Sequence, residues 1–218
     1  MPSASPAILD MLVHERPSLA ECKPAIDAAF RLLCAAFRSG GKLLLCGNGG
    51  SAADCGHIAG ELMKGFLLRR PVPAPMRERF RTQGEDGERL AQSLQGALPC
   101  IDLTGHIPLS TAFANDVDPA LVYAQQVYGY GRPGDVLLGI STSGNAENVR
   151  FAVQTARAAR LKTIGLTGAK GGWLAQHCDV AIQVPESETF RIQELHLPVY
   201  HALCAMLEQE FFGETEAL

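Results

Sequence analysis

The chain reads as an α/β protein: an open parallel sheet of about five strands flanked by helices, with an N-terminal helical extension over residues 1–40. Three observations predict it. Two apolar runs, Lys42-Leu43-Leu44-Leu45-Cys46 and Asp135-Val136-Leu137-Leu138-Gly139-Ile140, are nearly continuous, as strands covered on both faces of a parallel sheet are. Each run passes into a Gly/Ser-rich turn, Gly47-Asn48-Gly49-Gly50-Ser51 or Ser141-Thr142-Ser143-Gly144-Asn145, and then into a helix-like segment. From residue 135 onward strands and helices alternate across short connections, which implies right-handed crossovers. At 218 residues the chain holds one sizeable α/β core rather than two, so residues 1–218 read as a single domain with helical additions.

Taken in order, residues 6–14 and 19–38 carry apolar side chains at helical spacing, with Ser18 as N-cap and Gly40-Gly41 as the stop. The first strand, 42–46, leads to a helix from about Ser51 to Phe66. That helix exits through Pro71, Pro73 and Pro75, residues that helix interiors do not tolerate. Residues 76–96 are polar and charged, and the amphipathic stretch around Arg89, Leu90 and Leu94 predicts an inserted helix between mobile connections. A strand over 99–104 follows, then a helix from Pro119 to about Tyr130 capped by Asp118. Strand 135–140, helix 145–159, strand 161–167, a short helix after Gly171-Gly172, strand 179–184 and a last helix from about Phe190 to Phe212 complete the series.

The two turns read as an anion cradle built twice. Glycines let backbone N–H groups face a ligand, the helix that follows adds its orphan N–H groups and positive dipole end, and the hydroxyls of Ser51, Ser141, Thr142 and Ser143 can donate. Neither turn has the Lys-Ser/Thr pair of a nucleotide-triphosphate loop or the spacing of a dinucleotide fingerprint, so a neutral cradle fits a monophosphate better. A single such turn reads equally well as a ligand-free strand-to-helix connection; two in one sheet favour the cradle. Ligands of open parallel sheets bind beyond the carboxyl ends of the strands, where both turns fall.

Two helices carry the candidate chemistry. His57 and Glu61, four residues apart, share one helix face after the first cradle. Gln193, Glu194, His196 and His201 form a polar set on the otherwise apolar last helix. An imidazole beside a carboxylate suits proton shuttling between adjacent carbons of a sugar phosphate. The same His, Glu, Gln and His can form an oxygen/nitrogen metal site, for zinc above other metals, and a third reading is a helix–helix interface with satisfied polar contacts. Gln193 and His201 lie about 12 Å apart along a straight helix, so one ion reaches both only if the helix starts after Gln193 or bends, for instance at Pro198.

Composition narrows the function classes. A net charge of −4 and the lack of a basic cluster with interleaved aromatics exclude a nucleic-acid reading. Arg69-Arg70, with Arg77, Arg79 and Arg81 behind them, read first as a solvated segment and second as an anion-attracting cover. Seven cysteines, odd in number and without Cys-x-x-Cys spacing, oppose a disulfide framework and point to the reducing cytoplasm. The N-terminus lacks a basic, then apolar, signal pattern, and no apolar stretch is long enough for a membrane span.

The chain resembles the sugar isomerase domain family, and within it the phosphoheptose isomerases, through four stretches: Cys46 to Asp54, His57 to Leu62, Asp135 to Asn145, and Arg191-Ile192-Gln193-Glu194-x-His196 on to His201. The resemblance covers roughly 20–70 and 113–212. It implies a flavodoxin-like sheet, a homotetramer with active sites at subunit boundaries, and conversion of sedoheptulose 7-phosphate to a manno-heptose 7-phosphate. Glu61 and His201 fall on the family's base and acid; His57, Glu61, Gln193 and His201 fall on the zinc ligands of some members. Asn48, Gly49, Gly50, Ser51, Ser141, Thr142, Ser143, Asn145 and Gln193, with Asn115 and Asp116, are the substrate- and phosphate-binding candidates. If zinc binds, Glu61 and His201 are its ligands and share their acid/base roles with metal-bound water. The chain departs from the family at Lys64-Gly65, where Gly-Arg is typical, at Ala146, where a Ser is typical, and over the longer segment 72–112. Alternatives are an isomerase of another ketose phosphate, a phosphosugar sensor, and a non-catalytic adaptor like a family relative in replication initiation.

Overall fold

The computed structural model describes residues 5–213. Five parallel strands, β1 (Leu43–Gly47), β2 (Cys100–Asp102), β3 (Val136–Ile140), β4 (Lys162–Thr167) and β5 (Val180–Gln183), form one sheet in the order β2-β1-β3-β4-β5. This is the flavodoxin-like order. In register Leu45 pairs with Asp102 on one side and Leu138 on the other. The chain winds from β1 outward to β2 and then back to β3, so the carboxyl ends of β1 and β3 sit side by side at the switch point.

All five residues of β1 and of β3 are buried, yet alternate ones serve different faces. Leu43, Leu45, Val136, Leu138 and Ile140 join a core with α2 (Lys23–Arg38), α3 (Gly50–Met63) and α10 (Thr189–Phe212). Leu44, Cys46 and Leu137 face the other way, against α7 (Val122–Tyr130) and α8 (Glu147–Ala158) through Tyr123, Val127, Val149 and Val153. Two-sided cover is why these strands read as continuous apolar runs. Among the described residues no helix is long and apolar enough to cross a membrane.

Several expectations change. Ser18 is no helix cap: it lies in a 3-10 turn over Pro17–Cys22, between α1 (Ser5–Glu15) and α2. The stop at Gly40-Gly41 holds, with Gly40 at φ 78° and the Gly41 N–H donating to Ala36 O at 2.9 Å. Helix α3 ends at Met63 rather than Phe66, because Lys64 turns extended. Pro75 does not bar a helix. It occupies the first turn of α4 (Ala74–Arg81), where no intrahelical N–H is needed. The segment 76–96 holds parts of two short packed helices, α4 and α5 (Gly87–Ser93), in place of one. A helix that the sequence reading missed, α6 (Ile107–Asp116), has no buried residue and so no apolar periodicity to betray it. Asp118 does cap, accepting from Ala120 N–H ahead of α7. Arg70 is the largest correction. Far from solvated, it is 1% exposed, its Nε donating to Glu208 at 2.7 Å and its other nitrogens to the carbonyls of Leu62 and Glu61. Glu208 in turn accepts from the N–H groups of Phe66, Leu67 and Leu68, which folds the chain after α3 back onto α10.

Candidate active site

The turns after β1 and β3 open on one cavity of about 400 Å³, lined by Asn48, Gly49, Gly50, Ser51, Ser141, Thr142 and Ser143, with Gln193 and Thr189 from α10. Glycine is required where the backbone turns. Gly49 and Gly144 have φ of 57° and 67°, and a Cβ on Gly144 would lie 1.9 Å from the carbonyl oxygen of Gly171. Gly50 lets the amide of Gln193 approach to 2.4 Å of where a Cβ would stand, which seats Gln193 against the first turn. The first turn is also tied to the rest of the sheet's end: Tyr123 donates to Gly47 O at 2.6 Å, and Asn48 exchanges amide hydrogen bonds with Asn148 at 2.8 and 2.9 Å.

Not every predicted binder points into this cavity. Asn145 accepts from Trp173 N–H at 2.9 Å and donates to Ser143 O, pinning the second turn to α9 (Gly172–His177), and lines a neighbouring cavity of about 280 Å³. Asn115 and Asp116 are exposed at the end of α6, hydrogen-bonded to each other at 2.9 Å and outside the cavity wall. Thr189, the first residue of α10, is a wall residue that the sequence reading passed over; its place at a helix start was the available signal.

The titratable residues gather about one to three helical turns beyond the cradle, from Asp54 to Glu61. By helix rise His57 lies about 10 Å along α3 from Gly50. Its Nε2 is 3.2 Å from Glu61 Oε1 and 3.4 Å from His201 Nε2, and its Nδ1 is 3.0 Å from the Tyr200 hydroxyl. Tyr200 and its partner Asp54, at 3.2 Å, are site residues that sequence reasoning missed. Asp54 stands three residues before His57, on the same helix face, and that spacing was legible. Tyr200 reads only as one more apolar residue of α10.

Burial sets the electrostatics. Glu61 is 13% exposed, and its Oε2 is buried without a hydrogen-bond partner, with Lys64 Nζ at 4.0 Å. Desolvation, reinforced by neighbouring His57, lowers the pKa of His201, against an opposing pull from Glu61. Burial raises the pKa of Asp54 from its ordinary value despite the Tyr200 hydrogen bond and the nearby His57. A carboxylate and an imidazole with a low proton affinity thus face one space.

The donor set fits zinc in kind, and the 3.2 and 3.4 Å separations match edges of a tetrahedron with bonds of about 2.0–2.1 Å. It does not form a closed cage: among the described residues no three or more His, Cys, Asp or Glu converge as one, and Gln193 packs on Gly50. Helix α10 begins at Thr189, so it does not start after Gln193, and Pro198 lies inside it.

Two family models, both described as SIS domain, match residues 16–95 and 103–208. Among relatives, the phosphoheptose isomerase of Rhodospirillum rubrum is 41% identical over 87% of this chain and 88% of its own length. That of Roseiflexus is 42% identical over 88% of this chain and 84% of its own. The solved phosphoheptose isomerase of Neisseria gonorrhoeae superposes with a TM-score of 0.71 at 34% identity, covering 93% of this chain and 94% of that one.

Proposed function

The chain belongs to the SIS domain family, and from that premise we propose that it is an aldose–ketose phosphosugar isomerase converting sedoheptulose 7-phosphate to D-glycero-D-manno-heptose 7-phosphate. The observation that carries the reading is the shared cavity. Two Gly/Ser turns meet at one site, with an acid/base cluster that begins about 10 Å along α3 at His57 and extends to about 16 Å at Glu61, whose side chain leans back toward the cradle. The phosphate occupies the cradle, held by backbone N–H groups and the hydroxyls of Ser51, Ser141, Thr142 and Ser143. Carbons 1 and 2 then reach Glu61 and His201.

Glu61 takes a proton from C1 as His201 gives one to the C2 oxygen, forming an enediol. Glu61 returns its proton to C2 while His201 recovers one from the C1 hydroxyl, leaving the aldehyde; atoms and protons balance. The buried, unpartnered Oε2 of Glu61 supports its role as base, and the lowered proton affinity of His201 supports its role as donor. Zn2+ held by His57, Glu61 and His201 is part of the proposal, supported by donor type and by the His57–Glu61 and His57–His201 spacings, with Gln193 joining them only if α10 bends at Pro198. Such an ion would polarise the substrate's oxygens.

A homotetramer with sites at its subunit boundaries accords with the exposed apolar residues Ile107 and Val117 on or beside α6 and Phe190 and Leu197 on α10. A cytoplasmic setting accords with seven cysteines that are all free. The test is turnover of sedoheptulose 7-phosphate by purified protein, followed by NMR through the aldose H1 signals, before and after chelation and zinc return. An aldose product supports the reading; unaltered ketose under both conditions contradicts it.

A further inference from the structure

Helix α3 ends at Met63, so the carbonyls of its last turn have no partner within the helix. Arg70 serves two of them: its Nη2 donates to the Glu61 carbonyl at 2.9 Å and its Nη1 to the Leu62 carbonyl at 2.8 Å. Its Nε donates to Glu208 at 2.7 Å, and the guanidinium lies over the Phe212 ring at 4.7 Å. Glu208 stands two turns after His201 on the same face of α10. It also accepts from the Phe66 N–H at 2.8 Å, and the Phe66 ring packs on His201 with centroids 5.5 Å apart. One buried pair thus joins the backbone of Glu61 to the helix that carries His201. The Glu61 side chain has little else to hold it, since Oε1 meets His57 at 3.2 Å and Oε2 is buried without a hydrogen-bond partner. Apolar residues of the same volume commonly stabilise a fold as well as a buried ion pair does, but they fix no carbonyl.

We propose that Arg70 and Glu208 are positioning residues: the pair fixes the last turn of α3, and with it the Glu61 carboxylate, at a set distance from His201, while Phe66 braces the His201 ring. The role needs an arginine rather than any cation. Only a fork reaches both carbonyls while its Nε stays on Glu208, whereas lysine has a single nitrogen. Phosphate binding does not depend on the pair, because the cradle lies at the other end of α3, about 16 Å from Glu61 by helix rise. The kinetic consequence rests on the isomerase reading; the geometric consequence does not.

The experiment pairs crystal structures with steady-state kinetics on the unaltered chain, Arg70→Lys and Phe66→Leu. The control is Leu19→Ala, at a fully buried residue of the 3-10 turn over Pro17–Cys22, whose truncation weakens the core away from the site. Arg70→Lys keeps a charge opposite Glu208 and loses the fork. Its Glu61 carboxylate should stand about 1 Å or more from its wild-type place beside His57, and kcat should fall about tenfold or more with KM within about twofold. Phe66→Leu keeps the N–H that donates to Glu208 and loses the ring, so kcat should fall about threefold or more, again at constant KM. Leu19→Ala should lower the unfolding midpoint and leave both constants unchanged. A carboxylate that stays in place in Arg70→Lys, or a kcat no lower than that of Leu19→Ala, overturns the proposal. If Arg70→Lys does not fold, the kcat of Phe66→Leu decides alone. A displaced carboxylate in Arg70→Lys, with sedoheptulose 7-phosphate left unaltered even by the wild-type chain, would fault the isomerase reading and uphold the clamp.

Discussion

His196 shows how one side chain can tie stability to pH. It is fully buried on α10, and burial holds its pKa down to about 4 against a weaker upward pull from the Thr167 backbone. That contact falls short of ordinary hydrogen-bond geometry, since neither ring nitrogen has a partner. The unfolded chain binds a proton near pH 6.5, which the folded chain refuses until about pH 4. Stability is therefore lost as pH falls through that window, by up to about 3 kcal/mol, and His196→Leu should flatten this limb in denaturant titrations. Glu208→Ala should destabilise by about 3–5 kcal/mol, read as a lowered unfolding midpoint, because it leaves Arg70 charged and buried. Residue-level legibility followed side-chain uniqueness. His57 and Glu61 announced themselves by spacing, whereas Arg70 read as solvated because its partner Glu208 lies 138 residues away.

The two turns are the elements on which binding depends, and each makes its own demand. Gly144→Ala should cost about 1–3 kcal/mol from backbone conformation alone, with the clash against Gly171 added, and denaturant unfolding measures it. Ser141→Ala, at a buried hydroxyl of the cavity wall, should raise KM about tenfold or more with little change in kcat, as loss of a hydrogen bond to a charged phosphate implies. Strands β1 and β3 were plain in the sequence because two covered faces leave no polar alternation. Helix α6 was hidden for the opposite reason, as it buries nothing, and α4 was hidden by a proline read as a breaker where it stands in a first turn. Asn145 looked like a ligand contact because it closes a Gly/Ser turn, but its side chain is used to hold α9.

At the scale of the molecule, the strand order places the two turns next to each other, and this the sequence could only imply. Alternating strands and helices predict a parallel sheet; which strands are neighbours depends on long-range packing of α3 and α10 on one face and α7 and α8 on the other. The same packing brings His201 to His57 across 144 residues. Light scattering on the purified protein should give a mass of four chains, and a monomer at micromolar concentration would contradict sites shared between subunits. The most direct test of the central claim is turnover of sedoheptulose 7-phosphate in D2O by the wild-type chain and by Glu61→Gln. The wild-type chain should form the aldose with solvent deuterium at C2, and Glu61→Gln should be slower by about 10²-fold or more with KM little changed. Equal rates in the two proteins would contradict the account.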